Sequence, residues 1–261
     1  MKYSHFRLRV LLPALVAAGA LFSPASVHAD AADKAWGTIK GQAVFAGDAI
    51  PEPQQLDGVK MHPDKAHCLS KGPLLSDEWI INKKNRGVRW VLVWLQTEEE
   101  KAPPIHPSLQ KPPTEPVTVD QPCCMFTPHA VVVREGQDLL VKNSSPIPHS
   151  IKWFSFKNPG GNLTIAAAGT HTIKELHADK IPVKLECALH AWMGGYAKVA
   201  DHPYAAVTDE DGKFEIKLAP AGEFRLVTYH RKWGPAGRKG QKIVIDAGGV
   251  LDVGKIELRA D

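Results

Sequence analysis

The chain has 261 residues, 44% of them hydrophobic and 23% charged, with 32 Lys+Arg against 28 Asp+Glu. Lys2, Arg7 and Arg9 lie in a first segment without any acid, so the remainder is close to neutral and gives no ground for a nucleic-acid or membrane-surface partner. That remainder is long enough for two ordinary domains or one large one.

Residues 1–29 read as a secretory signal peptide. A basic start is followed by the apolar run Val10 to Phe22, broken only by Pro13 and Gly19, and Val27-His28-Ala29 offers small residues for cleavage after Ala29. The mature chain is therefore expected to be periplasmic or secreted. No later stretch approaches about 20 apolar residues, so no membrane insertion is expected.

From there the chain reads as all-β. Short alternating runs occur at 38–45, 89–95, 130–133, 139–142, 150–156, 182–186, 197–200, 213–217, 224–229 and 242–245, separated by Gly, Pro, Asp and Asn clusters. Asp211-Gly212 marks a tight turn. No segment sustains a helical period, apart from a short helix expected within Met61–Leu69. Glu98 to Pro116 is polar and Pro-rich and reads as a linker, and the Lys-, Arg- and Gly-rich stretch Tyr229 to Lys242 reads as a loop between strands.

The stretch Gly37 to Gly47, with Ala206 to Ile216 and Pro220 to Leu226, resembles the opening and middle strands of carboxypeptidase regulatory-like (transthyretin-like) β-sandwiches. The resemblance implies a sandwich built from both ends of the chain, residues 36–112 (with the Pro-rich linker) and 203–261. A second unit at 115–202 is inserted into it, or packed beside it in tandem.

Cys187-Ala188-Leu189-His190-Ala191-Trp192-Met193 carries the chemistry. A soft thiolate, an imidazole and a thioether lie within seven residues at the end of a β-run. Thiolate and imidazoles in a trigonal plane with a weak axial Met make a blue-copper site. Zinc is the poorer match, since its usual donor sets do not include Met. The second imidazole is assigned to His149, in Val141 to Ile151, just after an expected strand.

Asn143, His149, Cys187, His190 and Met193 together form Asn-x5-His followed by Cys-x2-His-x2-Met. This pattern resembles the cupredoxins, in particular those of the amicyanin and plastocyanin kind, over about residues 118–200. The resemblance implies a Greek-key β-sandwich holding one type 1-like copper ion. His149, Cys187 and His190 would be its equatorial ligands and Met193 the axial one, with Asn143 tying the two ligand loops together. Electrons would leave through an exposed edge of His190, framed by Ala188, Leu189, Ala191, Trp192 and the segment Pro146 to Pro148.

An exported chain meets an oxidising compartment. Of the cysteines other than Cys187, Cys68 with Cys124 is the expected disulfide; the neighbours Cys123 and Cys124 would need a strained geometry. Cys123 is then left over without an assigned role. His129 reads as a packed strand-end histidine that alternatively lines the site, His62 and His67 bracket the short helix, and His106, His171, His177, His202 and His230 read as solvated.

No nucleophile elbow, phosphate loop or second His cluster competes, so the chain reads as no enzyme in its own right. The expected function is a one-electron carrier for a redox partner protein such as a c-type cytochrome or a dehydrogenase. Arg231, Lys232, Arg238, Lys239 and Lys242 are available to steer an acidic partner. Two other classes stay open: a periplasmic copper carrier or buffer without redox turnover, and a non-redox β-sandwich scaffold.

Overall fold

In the computed structural model, fifteen strands and three short helical turns organise the described residues, which are 1, 35–232 and 240–259. The signal-peptide reading falls on residues 2–29, outside them, as do Arg238 and Lys239. Among the described residues no helix is long and apolar enough to cross a membrane. The strands are β1 (Trp36–Phe45), β2 (Leu92–Gln96), β3 (Val117–Asp120), β4 (Ala130–Arg134), β5 (Leu139–Lys142), β6 (His149–Phe154), β7 (Gly161–Ile165) and β8 (Thr170–Ile173). They continue with β9 (Val183–Glu186), β10 (Gly194–Ala200), β11 (Ala205–Val207), β12 (Lys213–Pro220), β13 (Gly222–Tyr229), β14 (Gln241–Ile245) and β15 (Val250–Leu258). One helical turn, α1 (Lys65–Cys68), lies within the expected stretch.

Four sheets form, and they bury two cores. The sheets β4-β10-β9-β6-β7 and β3-β5-β8 enclose Val133, Leu139, Val141, Ile151, Leu185 and Val199. The sheets β12-β1-β15 and β11-β2-β13-β14 enclose Ile39, Phe45, Val93, Phe214, Leu226 and Ile245. The second core is thus built from both ends of the chain, β1 pairing antiparallel with β12 and parallel with β15.

Strand β2 explains how the two halves meet. Its run Leu92-Val93-Trp94-Leu95 is buried throughout rather than alternating, the mark of a strand covered on both faces. Val93 and Leu95 enter the second core, while Leu92 and Trp94 pack with Ala130, Tyr196 and Val227 in a cluster between the sheets. Lys198 lies in this seam with its ammonium 4.5 Å from the Trp94 ring centre, and burial lowers its pKa to about 8.

The strands not anticipated from the sequence are β3, β7, β8, β11 and β15. In β15 the alternation Leu251, Val253 is broken before Ile256, Leu258 by Gly254, which has φ +68°. The partner strand β1 shifts register between Lys40 and Gln42 at that level, so the irregularity is a bulge. β7 and β8 are edge strands with polar sequences, which period-two apolar patterning does not detect.

The Pro-rich stretch is tied down rather than loose. Tyr204, fully buried, accepts from the His106 N–H at 2.8 Å and donates to the Pro104 carbonyl at 3.1 Å. A tighter constraint lies at Gly87, whose backbone abuts the turn Asp209–Gly212; a Cβ there would stand 1.9 Å from the Asp211 carbonyl oxygen. Asp211 also accepts from the side-chain amides of Asn82 and Asn85 at 2.8 and 2.9 Å, so the turn has little room to retreat. Gly87→Ala is expected to destabilise the fold by about 1–3 kcal/mol. Urea unfolding checks this, and an unchanged midpoint would contradict the packing.

Candidate metal centre

Strand pairing brings the four expected ligands to one end of the five-stranded sheet. His149 is the first residue of β6, which pairs with β9 through Lys152 and Glu186. β9 pairs antiparallel with β10, with Glu186 opposite Gly194, so residues 187–193 form a seven-residue hairpin loop. The loop is closed by the Met193 N–H to the His190 carbonyl at 2.9 Å and the Cys187 N–H to the Met193 carbonyl at 3.4 Å. His149 and His190 are fully buried, and Met193 and Cys187 are 2% and 3% exposed.

The donor atoms converge. Cys187 Sγ lies 3.9 Å from His149 Nδ1 and 3.7 Å from His190 Nδ1, and the two imidazole centres are 4.5 Å apart. A metal bound by one sulfur and one nitrogen, with bonds of about 2.0–2.3 Å at about 120°, separates them by roughly 3.8 Å. Both observed separations match that span, so the side chains are already spaced for an ion between them. His149 Nε2, on the side of the ring away from Cys187 Sγ, is buried without a hydrogen-bond partner.

Cys187 is set up as a thiolate. Burial alone pushes its thiol up, but the His149 and His190 imidazoles and the Ser150 N–H (3.2 Å) and Oγ–H (3.6 Å) outweigh it. The net result lowers the pKa from 9.0 to about 5. A folded pKa below the unfolded one stabilises the folded state fully above pH 9. The contribution shrinks as pH falls from about 9 and is gone once pH passes below about 5. Ultraviolet titration of thiolate absorbance in metal-free Cys123→Ser protein, where Cys187 is the one remaining free thiol, is expected to show a midpoint near 5; a midpoint near 9 would refute it.

Two expectations about the surroundings are corrected. Asn143 is fully buried, but its side-chain amide donates to the carbonyls of Ile147 (2.9 Å), Ile165 (3.1 Å) and Ala166 (3.0 Å). It braces the loop before His149 against the end of β7, not against the 187–193 loop. His190 offers no exposed edge: its outer nitrogen Nε2 donates to Asp64 Oδ2 at 3.1 Å, and His62 packs on its ring with centres 4.6 Å apart. Of the surrounding apolar residues Leu189 is 43% exposed, while Trp192 packs against the core and donates from Nε1 to the Cys124 carbonyl at 3.1 Å.

The remaining histidines and cysteines fall as follows. His129 is buried and paired with Asp77 at 2.7 Å, a packed strand-end position. His202 and His230 are buried rather than solvated; burial lowers their pKa values to about 4 and about 3. His202 Nε2 donates to the Leu95 carbonyl at 3.1 Å, and His230 packs on Trp79. Cys68 and Cys124 form a disulfide, and Cys123 is free and half-buried. Arg231 and Lys232 of the basic loop pair with Asp77 and Glu78, and Lys242 with Glu98.

Sequence reasoning missed Ser150, Asp64 and His62. Ser150 follows a ligand directly, and its contact with sulfur arises from the antiparallel register of β6 and β9, in which Lys152 lies opposite Glu186. Asp64 and His62 sit in the segment between β1 and β2, more than 120 residues before His190. The one signal was the nearby Cys68, which the disulfide brings beside the site.

No family model matches the chain, and no curated protein matches it. Among solved structures, the purple cupredoxin of Nitrosopumilus maritimus is 13% identical, covering 32% of this chain and 99% of its own, with a TM-score of 0.28. An oxidised amicyanin variant is 15% identical over 33% of this chain and 82% of its own, with a TM-score of 0.30. The copper-containing nitrite reductase of Thermus scotoductus is 17% identical over 37% of this chain and 27% of its own, with a TM-score of 0.31. Likeness at that level decides nothing about chemistry, which rests on the side chains. The chain is an all-β protein of several sheets whose buried His149, Cys187, His190 and Met193 resemble a type 1 copper site.

Proposed function

We propose that this chain is an exported cupredoxin-type protein that holds one type 1 copper ion and carries single electrons in the periplasm. The observation that carries the reading is the spacing of Cys187 Sγ from the two imidazole Nδ1 atoms, 3.7 and 3.9 Å, in a buried pocket. His149, Cys187 and His190 would hold the ion, with Met193 as a further, weaker sulfur donor. Bound there, copper supplies a Cu(I)/Cu(II) couple. The chain's own part is to present three preset donors, so that neither oxidation state demands much rearrangement. Ser150 adds two hydrogen bonds to the sulfur, tempering its charge. A c-type cytochrome or a dehydrogenase would be the redox partner. The outer sheets are read as a transthyretin-like sandwich on the sequence resemblance alone, and they serve as scaffold.

A second reading has an observation of its own. The outer edge of His190 is covered, whereas a shuttle needs a short path from that ring to a docked protein. Coverage favours a copper carrier or buffer. Copper loading of the purified protein separates the readings. A strong visible thiolate-to-copper band with reversible reduction supports the shuttle, and a colourless complex confined to Cu(I) supports the carrier. Failure to bind copper at one equivalent would defeat both.

A further inference from the structure

The segment Leu56–Leu69 crosses the mouth of the candidate metal centre. It belongs in sequence to the flank that supplies β1 and β2, not to the sheet that carries the ligands. It is anchored on both sides. Val59 is fully buried in the core below the site, with Leu56 and Leu69 packed against it. Cys68 closes the far end through its disulfide to Cys124, whose sulfurs lie within 4.8 Å of a His190 ring nitrogen.

Between those anchors the segment makes specific contact with one ligand. Asp64 Oδ2 receives the Nε2–H of His190 at 3.1 Å. Holding a proton on Nε2 leaves Nδ1 as the nitrogen that would take a metal, and it is the one facing Cys187 Sγ at 3.7 Å. The same carboxylate lies 3.6 Å from His62 Nδ1. The outer nitrogen of His62 is tied to the Leu189 carbonyl at 3.0 Å, and its ring packs edge-on against Trp192 at 5.2 Å. His149 has no comparable support, since its Nε2 is unpartnered.

We propose that Asp64 is a positioning residue for the ligand His190, and that the lid carrying it, stapled by Cys68–Cys124, retains the metal by closing its route to solvent. The proposal rests on the copper reading of the site. A carboxylate on the outer nitrogen of a ligating imidazole fixes its tautomer and orientation and raises its basicity. Here that carboxylate comes from a different part of the chain, so metal retention depends on the flanking sandwich being in place. The lid also means that a partner meets Asp64 and His62, not a bare imidazole edge.

Three full-length proteins decide it: the wild type, Asp64→Asn and Asp64→Ala. Each is loaded with copper(II), and loss of the visible band to excess EDTA is timed. Release is expected to be roughly 10–100-fold faster in Asp64→Ala, with an intermediate rate in Asp64→Asn, whose amide oxygen still accepts the Nε2–H. The reduction potential is expected to rise in Asp64→Ala, because a less basic imidazole favours Cu(I). In parallel, the metal-free proteins are treated with iodoacetamide and the Cys187 peptide is followed by mass, with the Cys123 peptide as internal standard. Cys187 is expected to react several-fold faster in Asp64→Ala, with Cys123 unchanged. Release rate, potential and alkylation all equal to wild type would overturn the proposal. A wild type that takes up no copper, yet shows the alkylation difference, would overturn the metal reading while leaving the lid in place.

Discussion

Replacing Cys187 by serine is expected to abolish the visible band of the copper-loaded protein and to weaken copper binding by about a hundredfold or more. The band arises from charge transfer out of the thiolate, and a hydroxyl at the same position supplies no such donor. The magnitude follows from structural four-ligand metal sites, whose binding free energies of about 10–16 kcal/mol correspond to roughly 3 kcal/mol per ligand. The substitution is nearly isosteric at a position 3% exposed, so the fold should persist and the loss should be specific to the metal. His149→Ala should weaken copper binding to a similar degree, since its Nδ1 forms the other 3.9 Å side of the donor set, although the thiolate that gives the band remains. Met193→Leu should instead keep the band and raise the potential, because a weak axial donor tunes the ion more than it holds it. Titration with copper(II) followed by visible and electron paramagnetic resonance spectra checks all three. A coloured, one-equivalent complex in Cys187→Ser would refute the assignment.

Removing the Cys68–Cys124 disulfide, through the double substitution Cys68→Ala with Cys124→Ala, is expected to lower stability by about 4 kcal/mol. The two cysteines are 56 residues apart in sequence. Cross-linking a loop of that length removes conformational entropy from the unfolded chain on this scale. For a protein of this size the change corresponds to roughly 8–16 °C in Tm. Both residues lie in the core of the five-stranded half, with Val59 and Phe126, so the native contacts add to the effect. The double alanine variant is preferred to chemical reduction because Cys123 stands next to Cys124 and would take part in exchange. Thermal unfolding followed by circular dichroism measures the shift, and an unchanged midpoint would show that the bridge contributes nothing.

The strands read from the sequence were those whose two faces differ or whose apolar run is unbroken. β5 was legible at its full length because Leu139 and Val141 both point into the core from a short alternating run. By alternation alone β10 was read only from Ala197. Its first residues, Gly194 and Gly195, carry no side-chain pattern, yet they pair with Glu186 and Leu185 and so set the length of the ligand loop. β15 escaped because the bulge at Gly254 shifts the apolar residues out of phase. His202 and His230 were misjudged for a related reason: an imidazole in a loop is equally compatible with water and with burial under a sheet. Only the packing of residues distant in sequence distinguishes the two.

What the sequence alone determined was the candidate donor set and its local frame. A thiol, an imidazole and a thioether within seven residues at the end of a strand form a short-range pattern, and chain connectivity guarantees that they stay near one another. The second imidazole was legible through its spacing from Asn143 in a recognisable motif. Only the tertiary structure decided what lies over that set. Asp64 reaches His190 across 126 residues, and Ser150 reaches Cys187 across 37. Contacts of that range come from the pairing of β6 with β9 and from the seating of Val59 and Cys68 in a core they do not neighbour in sequence. Long-range closure of this kind is driven by burial of apolar area, which is non-directional. A local pattern of residues therefore does not encode it.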